Sequence, residues 1–168
     1  MTPANFVLMR GYSGLPDLKP MGDLYKISPA CVAAYPMYRG LAKAAGMVVL
    51  EAGDTLIDGV NTICSKWTDH DFFFLHYKDP DARGEDGDFD GKVAAIEQAD
   101  SIIPDIMNMG PSAIVVTGDH STPATLGQHS WHPVPFLISS KWCIPDNVSG
   151  FGERPCMSGG LGTFPATD

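Results

Sequence analysis

Short apolar runs alternate with amphipathic stretches along this chain. That alternation predicts an α/β fold with a largely parallel sheet flanked by helices. Three observations carry the prediction. Runs at residues 47–50, 71–77, 113–116 and 135–138 are rich in Val, Ile and Phe and have strand length. Residues 91–107 place Val93, Ile96, Ala99, Ile103 and Ile106 near one helical face. Gly- and Pro-rich segments separate the runs, as connecting loops require. At 168 residues the chain is one domain or part of a larger one.

Taken in order, Phe6-Val7-Leu8-Met9 reads as a first strand, and residues 11–22 as a loop. Ser28-Pro29 has the form of an N-cap followed by Pro at the first helical position. The expected helix runs to Ala45, is stopped by Gly46, and is kinked or split at Pro36. Met47-Val48-Val49-Leu50 is the second strand, and residues 55–67 form a weak helix. Residues 71–77 are a third strand, apolar on both faces and expected to be buried in the sheet. An acidic loop follows, then the helix over 91–107 and the last two strands. From Lys141 onward the chain is irregular and glycine-rich.

Composition excludes several function classes. A net charge of −9 argues against nucleic acid, whose phosphates require a basic face. No apolar stretch approaches the roughly 20 residues of a membrane span, and the N-terminus shows no leader pattern. Cys31, Cys64, Cys143 and Cys156 lack metal-site spacing and read as reduced thiols, which points to the cytoplasm. The glycine-rich Ser158-Gly159-Gly160-Leu161-Gly162 lacks the Lys of a phosphate-binding loop.

The chemistry-bearing residues follow strands. Thr117-Gly118-Asp119-His120-Ser121-Thr122-Pro123 comes directly after the apolar run 113–116, with His129 and His132 further on. Carboxylates and imidazoles converging at strand ends are a common way to hold a divalent metal. Asp79, Asp81, Glu85, Asp86, Asp88 and Asp90 crowd the segment after the third strand, opposed by Arg83 alone. Such a packed group of like charges is costly unless solvated or neutralised by a cation. Asp81, Glu85, Asp119, His120 and His129 are therefore candidate ligands, enough for parts of two metal sites if both strands share one parallel sheet. His132 reads as a surface or supporting residue. A calcium-loop reading of residues 79–90 is weaker, because Arg83 falls on a ligand position and Asp90 is too short for the final bidentate acid. Arg10, Arg39 and Lys66 are the cations suited to an anionic ligand.

Together these segments resemble the C-terminal part of the archaeal-type cofactor-independent phosphoglycerate mutases of the alkaline phosphatase superfamily. The resemblance rests on residues 5–11, 35–47, 71–100, 117–123, 129–138 and 156–162. It implies that residues 1–168 are the C-terminal part of a metal-binding, phosphatase-like domain, with the N-terminal nucleophile segment and the final helix absent. It also implies 3-phosphoglycerate and 2-phosphoglycerate interconversion through a phosphoserine, with two divalent metals: manganese first, magnesium or zinc as alternatives. By resemblance, Asp81, His129 and Glu85 serve one metal, Glu85 standing where His is frequent, and Asp119 and His120 serve the other. Arg10, Arg39, Lys66 and His76 then neutralise the substrate. No catalytic nucleophile is found in this chain, which alone is expected to be inactive. The alternatives are a metal-dependent phosphatase or other phosphotransfer enzyme of that superfamily, and a truncated, non-catalytic metal-binding chain. A sheet cut in this way is expected to associate through its open edges with itself or with a missing partner segment, or to be poorly soluble.

Overall fold

The computed structural model describes residues 14–166. The expected strand at Phe6-Val7-Leu8-Met9 and the cation Arg10 lie outside the described residues. A short helix, α1 (Met21–Tyr25), precedes the first strand of the sheet, β1 (Pro29–Ala33). Helix α2 (Pro36–Ala44), strand β2 (Val48–Val49), helix α3 (Leu56–Ser65) and strand β3 (Phe72–His76) follow. These strands form a parallel sheet in the order β2-β1-β3, with Pro29 opposite Phe72 and Ala33 opposite His76.

The segment at Ser28-Pro29 corrects the sequence expectation. It opens a strand, and the helix begins only at Pro36. β1 is the middle strand and is buried along its whole length, with Ala30 and Cys31 fully inaccessible. Small apolar side chains suit that position, because layers press on both faces. Pro29 is the first strand residue, where a missing N–H is tolerated. Pro36 lies in the first turn of α2 and starts that helix without a kink. Gly46 stops α2 in the left-handed region at φ +75°, and a Cβ there would run into Pro20.

α3 is better specified than its composition suggests. Thr55 Oγ1 accepts from the Asp58 N–H at 3.1 Å, and Asp58 Oδ2 accepts from the Thr55 N–H at 3.2 Å. This reciprocal capping box satisfies two N–H groups that would otherwise lack partners. Leu56 and Val60 bury one face of α3 against Leu75 and Ile102.

The acidic segment is helical. α4 (Asp79–Glu85) carries Pro80 in its first turn, Asp79 and Asp81 near its positive end and Arg83 in its last turn. A calcium-binding loop over these residues is thereby excluded. α5 (Phe89–Ser101) is capped by the Asp88 carboxylate, which accepts from the Gly91 N–H at 2.9 Å. The single helix expected over 91–107 divides at Ile102, and α6 (Ile103–Asn108) starts with Pro104 in its first turn. Proline cannot donate the hydrogen bond that a continuous helix needs at that point.

β4 (Ala113–Thr117) and β5 (Phe136–Ser140) form an antiparallel pair, with Thr117 opposite Phe136. The parallel pairing expected between the strands that precede Asp81 and Asp119 is absent among the described residues. β3 is also less buried than its apolar sequence suggests, since Phe72 and Phe74 lie partly exposed on the outer strand of the three-stranded sheet. A single turn, α7 (Glu153–Cys156), interrupts the otherwise irregular C-terminal region. Among the described residues, no helix is long and apolar enough to cross a membrane.

The capping box yields a direct test. Thr55→Ala should lower stability by about 1 kcal/mol, read as a shift of the urea midpoint at constant slope. An unchanged midpoint would mean that tertiary packing alone holds the start of α3.

Candidate metal centre

Two segments build the site. The chain leaves β3 at His76 and turns straight into α4, so Asp81 sits on the first turn of a helix at the carboxyl end of a parallel strand. The chain leaves β4 at Thr117 and presents Asp119 and His120. It then runs to His129, where an isolated antiparallel bridge joins Ser121 to Ser130. The Ser130 N–H donates to the Ser121 carbonyl at 2.9 Å. That bridge closes the loop and brings the His120 and His129 rings within 3.8 Å of each other.

The outcome is a carboxylate facing two imidazoles. Asp81 Oδ1 lies 3.7 Å from His120 Nδ1 and 3.8 Å from His129 Nε2. One donor atom from each of these side chains lies within 4.8 Å of the other two. Glu85 flanks the group through His129, with Oε1 3.2 Å from Nε2. Asp119 flanks it through His120, at 3.6 Å. The sequence-derived set of Asp81, Glu85, Asp119, His120 and His129 is therefore gathered in one place. Mixed oxygen and nitrogen donors suit divalent manganese, zinc or iron. Tetrahedral ligands about 2.1 Å from a metal stand roughly 3.4 Å apart, and the Asp81–imidazole spacings of 3.7 and 3.8 Å lie close to that arrangement.

Side chains that sequence reasoning missed hold this group in place. Thr122, buried beneath it, donates to Asp81 and lies 3.1 Å from His120 Nδ1. Lys78 forms an ion pair with Asp81. The Tyr38 hydroxyl donates to Asp119 Oδ2 at 2.6 Å. The spacing of Lys78 and Asp81 was a usable signal, since residues three apart meet on a helix face. The Tyr38–Asp119 contact, 81 residues apart, left none.

Electrostatics follow from these contacts. Burial raises the Asp81 carboxyl, but the bonds from Lys78 and Thr122 outweigh burial and leave it below its ordinary value. Asp119 behaves alike: burial raises it, while the bond from Tyr38 and the nearby His120 bring it below the ordinary value. Its bond to Asp81 raises the Lys78 ammonium and keeps it charged.

The cations expected to meet a substrate are placed differently. Arg39 pairs with Glu51, and Lys66 pairs with Asp69 at 3.1 Å. Both partners are local in the chain and lie outside the group around Asp81. His76 is half-buried, its ring stacked on Tyr38 with centroids 3.5 Å apart. Burial lowers its pKa and favours the neutral ring. His132 is exposed, its ring 2.9 Å from the Ser130 hydroxyl. A small cavity of about 50 Å³ at the carboxyl ends of β1 and β3 is lined by Tyr35, Thr55, His76 and Lys78.

Comparison with known proteins places this arrangement. The metalloenzyme superfamily model matches residues 11–168. The chain belongs to the metalloenzyme superfamily. A Thermotoga maritima relative named as a probable 2,3-bisphosphoglycerate-independent phosphoglycerate mutase is 49% identical over 98% of the chain. An Aquifex aeolicus relative of the same name is 44% identical over 97%. The chain spans 41% and 40% of the lengths of these two relatives. A solved Pyrococcus horikoshii protein superposes with a TM-score of 0.81 at 34% identity, covering 85% of this chain and 46% of that one. The cofactor-independent phosphoglycerate mutase of Thermoplasma acidophilum superposes with a TM-score of 0.67 at 23% identity, over 87% of this chain and 36% of that one, and shares the fold. This metalloenzyme domain thus has the α/β architecture with a parallel sheet that the sequence predicts.

Two tests follow from the geometry. α4 approaches the Thr122 segment so closely that a Cβ on Gly84 would overlap the Thr122 carbonyl. Gly84→Ala should therefore cost about 1–3 kcal/mol, the usual penalty of overpacking, and separate Asp81 from His120. Unaltered stability in urea would show that the contact yields freely. The second concerns acid. A carboxylate lowered in the folded state contributes stability that is full above its ordinary value and is lost as the pH falls through the lowered one. In the metal-free chain, Asp81→Asn should thus flatten the loss of stability below about pH 4. Parallel acid limbs for the two proteins would contradict the assignment.

Proposed function

We propose that this chain is the metal-binding, C-terminal part of a phosphoglycerate mutase that interconverts 3-phosphoglycerate and 2-phosphoglycerate. The observation that carries the reading is the convergence of Asp81, His120 and His129 in a chain nearly half identical to relatives bearing that name. In the proposed assignment, Asp81, His129 and Glu85 hold one divalent ion, and Asp119 and His120 contribute to a second. Manganese is the first candidate, with magnesium and zinc as alternatives. Bound ions of this kind stabilise the charge on a transferring phosphoryl group.

The chain's own residues supply placement and charge. Thr122 orients Asp81 and His120 together. Lys78 holds a positive charge beside Asp81, where an anionic substrate would meet it. Arg10, Arg39, Lys66 and His76 are the proposed substrate contacts. Arg39 and Lys66 must exchange Glu51 and Asp69 for the substrate in order to serve. The serine that accepts the phosphoryl group is proposed to come from the part of the relatives that this chain does not match. A cytoplasmic setting agrees with the unpaired cysteines.

Manganese titration of the purified 168-residue chain tests the reading. Saturable binding is expected, and Asp81→Asn should weaken it at least tenfold. With 3-phosphoglycerate added, neither 2-phosphoglycerate nor free phosphate should accumulate. Absence of saturable binding would overturn the metal assignment. Release of free phosphate would favour a phosphatase.

A further inference from the structure

Tyr38 reaches into the site from outside its two segments. It lies on α2, which precedes β3 and every candidate ligand in the chain, yet its hydroxyl donates to Asp119 Oδ2 at 2.6 Å. Its ring is fixed as well. The His76 imidazole stacks on it at 3.5 Å with a 23° tilt, and Tyr35 packs against it at 6.2 Å. The stack has a cost, since His76 Nδ1 is buried and has no hydrogen-bond partner. An unsatisfied buried polar atom of this kind opposes folding, so the ring pose of His76 is held against a local penalty. Phe74 borders the same imidazole at 6.2 Å. The arrangement is a column running from β3 through His76 and Tyr38 to the Asp119 carboxylate.

Asp119 needs such a support. It lies in an exposed loop after β4, and its other contacts are its neighbour's N–H at 3.1 Å and the His120 ring at 3.6 Å. Both partners belong to the adjacent residue and move with the loop. Tyr38 is anchored instead to the parallel sheet, which β4 does not join among the described residues. We propose that Tyr38 is a positioning residue that locks Asp119 against the parallel sheet, and that His76 acts with it by holding the phenol ring. The proposal rests on the assignment of Asp119 as a metal ligand. Hydrogen-bond partners of ligating groups commonly contribute 10–100-fold to metal affinity.

The experiment is a manganese-binding isotherm of the 168-residue chain, followed by the paramagnetic signal of the free ion. It compares wild type, Tyr38→Phe, Asp119→Asn and the double variant. Tyr38→Phe keeps the stacked ring and removes only the hydroxyl, so its thermal midpoint serves as a control for folding. Weakening of about tenfold or more is expected for Tyr38→Phe, with the double variant no weaker than Asp119→Asn alone. That non-additivity is the signature of a residue acting through Asp119. Unchanged affinity in Tyr38→Phe would overturn the proposal, as would additive losses. Tighter binding would overturn it too, because the hydroxyl would then be competing with the ion. If Asp119→Asn binds as wild type does, the ligand assignment of Asp119 fails, and this proposal falls with it. His76→Ala, which removes the stacking partner, should reproduce part of the Tyr38→Phe loss. An unweakened His76→Ala would remove His76 from the proposal.

Discussion

The contact between α4 and the loop after β4 is the constraint on which the site depends. Asp81 is attached to a parallel sheet, and His120 and His129 to an antiparallel pair that does not hydrogen-bond to it among the described residues. Backbone pairing therefore does not register Asp81 against the two imidazoles. Side chains and close packing do. Thr122 is buried, donates to Asp81 and touches His120, and Gly84 lets the α4 backbone approach the Thr122 carbonyl. A glycine in a helix costs roughly 1 kcal/mol relative to alanine. Here that cost is offset by an approach that no larger residue permits.

The same geometry explains how a strongly acidic segment remains folded. Asp79 and Asp81 lie at the positive end of α4, Lys78 pairs with Asp81, and Arg83 pairs with Asp88 at 3.1 Å. Asp79, Asp81 and Asp88 thus each have a local cation or a helix N-terminus nearby. Asp119 sits apart from these cations and relies on a phenol and a backbone N–H. Two kinds of support hold two neighbouring carboxylates, which keeps both ionised while leaving lone pairs free for a cation.

Much of this was legible in the sequence, for definable reasons. β3 and β4 were readable because each concentrates apolar residues and is followed at once by polar ones. The candidate ligands were readable because the Asp-His and Asp-x-x-x-Glu patterns directly follow such strands, at whose ends ligating side chains converge. β1 was not, because Pro29-Ala30-Cys31-Val32-Ala33 is short, has small side chains and begins with a dipeptide that equally suits a helix start. Only its position between two parallel neighbours selects the strand. The break at Pro104 was available and was outweighed by apolar periodicity, which runs on unbroken from α5 into α6. The antiparallel pairing of β4 with β5 had no local signature, because the loop between them is far longer than a hairpin turn. Thr122 and Tyr38 stayed hidden because a hydroxyl donor acquires its meaning from a partner that is distant in sequence.

A chain carrying a net charge of −9 repels an anionic ligand at long range. Yet the acids that make the site, Asp81, Glu85 and Asp119, are clustered and flanked by imidazoles, and Lys78 already rests on one of them. Such a cluster attracts cations, and a divalent ion bound there would offset the local negative field. On the proposed reading, the acidity that repels a phosphorylated substrate from the rest of the surface is what loads the site proposed to receive it. Recruitment of metal and recruitment of substrate are then a single electrostatic problem solved in sequence. On that reading the carboxylates would bring in the divalent charge, and that charge would bring in the phosphate.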